Sequence, residues 1–121
     1  MRKFELADDE WVVIGQLHSV LKVLKDATLF FSCSTPNLST VIPAMDHIDQ
    51  ELMTYSRDKK YLPSIRSGVS LAKETLNHYY SHTDTSEVYR IAMVLHPRHK
   101  LSYFKTACWP DEWINTAEDL V

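Results

Sequence analysis

The chain has 121 residues, of which 45% are hydrophobic, and its formal net charge is -3. This length and apolar content suit one domain with a buried core over residues 1–121, and the negative balance argues against a free-standing, non-specific nucleic-acid binder. The two glycines, Gly15 and Gly68, lie far apart, which excludes the glycine-rich loops of P-loop and dinucleotide-binding proteins.

The cysteines and the first residues bear on the cellular compartment. The chain begins with MRKFEL, which does not resemble a secretory signal, and its two cysteines are Cys33 and Cys108. No apolar stretch approaches the roughly 20 residues that a membrane span needs. We therefore expect an intracellular protein with no membrane partner and two free thiols, a single disulfide being the alternative.

The longest amphipathic pattern lies within residues 8–33. Its apolar residues follow one another at steps of three and four: Trp11, Ile14, Leu17, Leu21, Leu24, Thr28 (through its methyl group) and Phe31. Such a stripe predicts an α-helix about 30 Å long, capped at its start by Asp8 or Asp9. A second apolar line, Val13, Val20 and Ala27, with Val12, Val23 and Phe30 beside it, makes the surface wider than one neighbouring helix can cover.

Five further segments have helical character: residues 38–57, 63–80, 86–95, 100–107 and 111–120. The third of them is a nearly continuous apolar run that fits either a buried helix or a strand. We favour a helix because Asp84 and Glu87 have the spacing of a capping box. The predicted fold is all-α, an antiparallel bundle of five to six helices around the long first helix.

Four of the six histidines occur as close pairs, His78 with His82 and His96 with His99. The first pair shares a helix face and the second flanks a turn, so four imidazoles are present that have the chemistry to bind zinc. However, Tyr79 stands where the helical metalloprotease motif has glutamate. Surface or capping histidines are the simpler interpretation, and we predict no metal site and no cofactor.

The carboxylates and thiols suggest no catalytic centre. The acidic residues fall at predicted helix starts and on solvated helix faces, and nothing holds two of them opposite each other across a pocket. Cys33 lies near the predicted C-terminal end of the first helix, where the helix dipole disfavours a thiolate. We predict no catalytic residue, and no small-molecule substrate is evident.

Basic residues next to aromatic residues offer a possible contact with DNA. Arg98, Lys100 and Lys105 can bind phosphates, and Trp109 can stack on a base. The simpler interpretation is solubilising charge beside aromatic core residues.

A family resemblance is carried first by residues 91–104, which read IAMVLHPRHKLSYF. This string resembles the stretch of hAT-superfamily DNA transposases in which a hydrophobic run leads into Leu-Asp-Pro-Arg and then x-Lys-Leu-x-x-Phe. Residues 109–114, WPDEWI, resemble the tryptophan-containing helix start that follows in that family.

Three earlier segments resemble the same family, in the same order. Residues 6–32 are similar to its Leu-x-x-x-Glu-Trp … Leu-x-x-Phe-x-x-Ala-Thr … Ser helix, and residues 36–43 to its Pro-Thr … Val-Ile-Pro turn. Residues 76–80 are similar to its Leu-x-x-Tyr-Tyr helix end. Two departures stand out: His96 replaces the aspartate of the family motif, which puts any ion pair of that aspartate in doubt, and Leu24 replaces a phenylalanine.

The resemblance implies the helical insertion of an RNase H-like transposase core, in which metal-binding acidic residues drive strand cleavage. The first two catalytic aspartates would then lie upstream of this chain, and the glutamate and dimerisation region downstream. We therefore expect a fragment or truncated descendant that is non-catalytic and, if it acts as a transposase, nuclear. Its expected partners are the remainder of a transposase or another copy of itself, with DNA as a further candidate. The alternative is a repurposed interaction module that self-associates through Val13, Val20 and Phe30.

Overall fold

The computed structural model describes residues 5–32 and 37–121, and within these ranges the chain is helical and has no β-strand. The predicted all-α class is confirmed. The helices of the described ranges are α1 (Asp8–Phe31), α2 (Val41–Arg57), α3 (Pro63–Asp84), α4 (Glu87–Leu95), α5 (Lys100–Thr106) and α6 (Asp111–Asp119), with a 3-10 turn at Leu38–Thr40 before α2.

The start of α1 differs from the prediction in its capping residue. Ala7 occupies the N-cap position, and the Glu10 carboxylate accepts a hydrogen bond from the Ala7 N–H at 2.8 Å. The prediction that Asp8 or Asp9 caps the helix was therefore wrong, because both already lie inside the first turn. Their carboxylates still complement the positive end of the helix dipole.

Residues 87–95 are helical, as predicted, but the boundary before them was wrong, and so was the predicted capping box of Asp84 and Glu87. The α3 helix continues to Asp84, and α4 begins at Glu87 with Ser86 at the N-cap position. The polar run that was expected to end α3 is helical as far as Asp84, and hydroxyl groups in and after it bond back to carbonyls of the same helix. The Ser81 hydroxyl donates to the His78 carbonyl at 2.7 Å, and the Thr85 hydroxyl donates to the Ser81 carbonyl at 3.0 Å.

The described residues fall into two compact units, and the boundary between them lies within α2 and α3. Unit 1 comprises residues 5–32 and 47–77, and unit 2 comprises residues 37–46 and 78–121. The prediction of one domain over residues 1–121 is not tested by this division and stays a prediction.

Unit 1 has its own apolar core, built from α1, α2 and α3. The buried side chains of this core are Val20, Ile48, Leu52, Ile65 and Val69. At its edge, the Lys73 ammonium on α3 lies 2.7 Å from the Asp49 carboxylate on α2. Within the described residues of α1, Val20 is the buried side chain, so the longest helix contributes little to the deepest part of this core.

Unit 2 has a second core, built from the start of α2 and from α4, α5 and α6. Its buried side chains are Ile42, Met93, Phe104, Ile114 and Ala117. Two tyrosine hydroxyls tie it to the first turns of α2: Tyr80 donates to the Met45 carbonyl at 2.8 Å, and Tyr103 donates to the Asp46 carboxylate at 2.6 Å. Sequence periodicity alone gave no indication of either bond.

Candidate functional site

A row of apolar side chains lies on the solvent side of α1. Ile14, Leu17 and Leu21 are 40%, 43% and 51% exposed, and together they define what we call the α1 seam. An open groove runs along the seam and is lined by Ile14, Leu17, His18, Leu21, Lys22, Lys25 and Asp26. Contiguous exposed apolar surface of this kind is typical of a binding site, because single scattered apolar residues do not form a groove.

The seam is exposed because the opposite side of α1 is used by the unit 1 core. Val20 is buried there, and Val13, Leu24 and Ala27 pack against the same cluster at its edge. The residues of this inner line and those of the α1 seam project in different directions around the helix axis, so α2 and α3 cover only one of the two lines. The sequence pattern of two apolar lines thus corresponds to one inner and one outer surface.

Two of the predicted self-association residues lie on the inner surface. Val20 is 5% exposed and Val13 is half-buried against the core, so neither presents its side chain freely to a partner. Phe30 is 48% exposed near the end of α1, where its ring meets that of Phe31 edge-on at 5.5 Å between centroids. The surface available on α1 is therefore the seam, and of the three predicted residues Phe30 alone is exposed.

Gln16 ties α1 to the link between α2 and α3. The side-chain amide of Gln16 donates to the Lys60 carbonyl at 3.1 Å and accepts from the Leu62 N–H at 2.8 Å. Both partners lie in the link between α2 and α3. Because this bidentate contact ties one side of α1 to the link, it holds the seam toward solvent. A lone glutamine in a helical stripe gives no sequence signal for such a contact.

The charged residues beside the seam are partly paired. The Lys22 ammonium lies 2.6 Å from the Asp26 carboxylate one helical turn away, and this hydrogen bond raises the pKa of Lys22. Within the described part of the chain, Lys25 makes no ion pair and stands exposed on the groove. The first turn of α1 carries three acidic residues, Asp8, Asp9 and Glu10. The α1 helix is thus acidic at its start, and beside its groove Lys22 is paired with Asp26 while Lys25 stands exposed.

The predicted DNA-contact residues lie in unit 2, around α5. Arg98, Lys100 and Lys105 are exposed. The sequence has no acidic residue between Val88 and Pro110, so this stretch is locally basic in a chain of net charge -3. Lys100 has a positive φ of 48° at the start of α5.

Trp109 is held by packing rather than presented to solvent. It is half-buried against the unit 2 core, with its ring centroid 4.8 Å from that of Phe104 and 5.5 Å from that of Trp113. This position is that of an aromatic core residue, which is the simpler of the two interpretations of Trp109 drawn from the sequence.

The histidine pairs lie close together in space. The His78 and His82 rings are 5.3 Å apart, and the His96 and His99 rings are 4.6 Å apart. Partial burial, together with His96 and Arg98, lowers the pKa of His99 below its ordinary value of 6.5. Among the residues that the structure describes, no group of three or more histidine, cysteine or acidic side chains is placed to hold a metal ion.

Cys108 is an exposed free thiol, and Cys33 lies outside the described residues. Over residues 5–32 and 37–121, no helix combines the length and the apolar character needed to cross a bilayer.

Comparison of the chain with protein-family models, with curated proteins and with solved structures found no match. The likeness to hAT transposases therefore rests on the order of the sequence motifs alone.

Proposed function

We propose that the chain is a non-catalytic helical module of a hAT-like DNA transposase and that the α1 seam is its protein-docking surface. The observation that carries this proposal is the exposure of Ile14, Leu17 and Leu21 in one row. Covering such a row removes apolar surface from water, and fully burying a Leu or Ile side chain is worth about 1.5–3 kcal/mol. The three seam side chains are already about half buried, so a docked partner gains about 2–4 kcal/mol from covering the rest, before the cost of association is subtracted.

Two features support a docking role in preference to accidental exposure. The seam residues stand at helical spacing on a single face, and Gln16 holds that face outward through two hydrogen bonds. An amphipathic helix presented in this way is a recurrent recognition element, read through anchors at positions i, i+3 and i+7. Ile14, Leu17 and Leu21 have this spacing.

The transposase context is supported by five motifs in family order along nearly the whole chain. In that setting the module holds together parts of a larger protein, and the chemistry belongs to acidic residues encoded elsewhere. The first test is to read the genomic sequence on both sides of the frame. Two aspartates upstream and a glutamate downstream, in family spacing, support the assignment, and flanks without them overturn the transposase part of the proposal.

The second test addresses docking. The flanking segments are expressed separately and mixed with this chain, and co-purification is measured for the wild type, Leu17→Glu and Leu71→Glu. Leu71 is a matched control because it is an exposed leucine on α3, away from the seam. We expect Leu17→Glu to abolish co-purification and Leu71→Glu to preserve it. Equal binding by all three proteins would overturn the assignment of the seam.

A second candidate function, contact with a DNA end, is favoured by the basic stretch around α5. Arg98, Lys100 and Lys105 are exposed within a segment that has no acidic residue. If each of them neutralises one phosphate of duplex DNA, log K falls against log salt concentration with a slope of about -2.7. The variant in which all three are glutamate should lose this binding. A wild-type chain that fails to bind duplex DNA at low salt would exclude the contact.

A further inference from the structure

We propose that His78 and His82 on α3 form a two-ligand site for a late divalent transition metal, the class that includes Ni²⁺, Cu²⁺ and Zn²⁺. The two residues are four positions apart, which places both rings on the same face of the helix. Such a site differs from the four-imidazole zinc centre considered from the sequence, because water supplies its remaining ligands. For this one pair it replaces the expectation of no metal site, and it is independent of the docking role of α1.

The distance between the two rings matches that of two imidazoles bound to one ion. The ring centroids of His78 and His82 are 5.3 Å apart. Nitrogen-to-metal distances of about 2.0–2.1 Å place the centroids of two rings on a tetrahedral ion roughly 5 Å apart. Both side chains are exposed, and within the described residues neither ring makes a hydrogen bond or an ion pair. Their ring nitrogens are therefore available to a metal ion.

The turn of α3 that carries both histidines is anchored to α2 by Tyr80. The Tyr80 hydroxyl donates to the Met45 carbonyl at 2.8 Å. Tyr80 lies two residues from each histidine, so at about 100° per residue its side chain leaves the helix on nearly the opposite side. The histidine face is therefore on the side of α3 away from this contact, where an ion can reach it from solvent.

The charge around the pair favours a cation. Between Lys73 and Arg90 the sequence has no lysine or arginine, and it has three carboxylates. His82 also lies in the last turn of α3, where the negative end of the helix dipole attracts positive charge. A divalent ion at this end of α3 therefore meets no nearby basic residue of the same segment and gains from the dipole.

The second histidine pair, His96 and His99, lacks these features. The Nδ1 atom of His96 accepts a hydrogen bond from the Arg98 N–H at 3.2 Å, so the lone pair of that nitrogen is already used. The two rings are 4.6 Å apart and tilted by only 32°, an arrangement closer to stacking than to convergence on an ion. The Arg98 guanidinium between them in the sequence also repels a cation. This pair is thus a control within the same chain.

Calorimetric titration of the untagged chain with Ni²⁺ tests the site, since imidazole is a favoured ligand of this ion. Losing a residue that only supports a metal ligand already costs about 10–100-fold in affinity. His78→Ala and His82→Ala each remove a ligand, so both should bind Ni²⁺ at least about 10-fold more weakly than wild type. His96→Ala should bind it as tightly as wild type. A wild type without measurable binding, or a His96→Ala protein weakened as much as His82→Ala, would overturn the site.

The stability of the chain provides a second measurement. An ion that joins two imidazoles one helical turn apart binds the folded chain, so saturating Ni²⁺ should raise the urea midpoint of wild type and of His96→Ala. It should leave His82→Ala unchanged, and Mg²⁺, which prefers oxygen ligands, should shift none of the three. At about pH 5 the Ni²⁺ shift should vanish because a protonated imidazole cannot bind metal. An equal shift in all three proteins, or a shift that persists in acid, would overturn the assignment.

Discussion

The hydrogen bond between Tyr103 and Asp46 offers the sharpest test of how unit 2 is held together. The phenol hydroxyl donates to the Asp46 carboxylate at 2.6 Å, a short distance typical of a charge-assisted bond. Bonds to charged groups contribute about 1.5–3 kcal/mol, and we reduce this for the partial exposure of both residues. Tyr103→Phe should therefore lower the free energy of unfolding by about 1–2 kcal/mol.

Urea denaturation followed by tryptophan fluorescence measures the loss, since Trp109 and Trp113 lie in the same unit. Tyr79→Phe is the matched control because the Tyr79 ring is exposed, and its effect should stay within about 0.5 kcal/mol. A Tyr103→Phe protein as stable as the Tyr79→Phe protein would refute the contribution that we assign to the bond.

The same bond predicts a dependence on alkaline pH. Burial raises the pKa of Tyr103 above its ordinary value of 10.0, and the bond to Asp46 raises it further. Above pH 10 the unfolded chain therefore loses a proton that the folded chain keeps, so the contribution of Tyr103 to stability is complete below pH 10 and declines above it. The stability gap between wild type and Tyr103→Phe should narrow as pH rises past 10, and a gap that widens there would contradict this sign.

Three further substitutions test the two cores and the groove, each by chemical denaturation. Phe104→Ala empties a fully buried site in unit 2 and should cost about 3–5 kcal/mol, so a loss below about 1 kcal/mol would show that the site is not packed as described. Gln16→Ala removes two hydrogen bonds to the α2–α3 link and should cost about 1–2 kcal/mol, whereas no loss would remove the glutamine as the anchor of α1. Lys22→Ala breaks an exposed ion pair and should change stability by less than about 0.5 kcal/mol, with a larger loss contradicting its placement at the surface.

The helices were largely predictable from the sequence because apolar spacing marks them directly. The starts of α3 and α6 at Pro63 and Asp111 follow from proline and acidic residues at first-turn positions. The helix caps were less predictable. Ala7 stands where a capping side chain was expected, and its N–H is satisfied instead by Glu10 from within the helix. Residue spacing alone does not identify which of Ala7, Asp8 and Asp9 occupies the N-cap position of α1.

The sequence pattern predicted an exposed apolar surface on α1, but it assigned the wrong residues to that surface. Two apolar lines on α1 predicted more apolar surface than the neighbouring helices cover, and in the structure part of that surface is exposed. Which line faces the core depends on the side chains of α2 and α3, and periodicity within α1 carries no information about them. Val20 was therefore predicted to lie on the docking surface, but in the structure it lies in the unit 1 core. The contact made by Gln16 was not predicted for the same reason, because its hydrogen-bond partners are about 45 residues away along the chain.

The docking surface on α1 is the central claim, and co-purification with the flanking segments tests it most directly. Wild type and Leu71→Glu should both be retained by those segments, and Leu17→Glu should be lost, because Leu17 lies in the exposed row on α1 and Leu71 lies on α3. A wild type that is not retained, or a Leu17→Glu protein retained as well as wild type, would contradict the assignment of the seam.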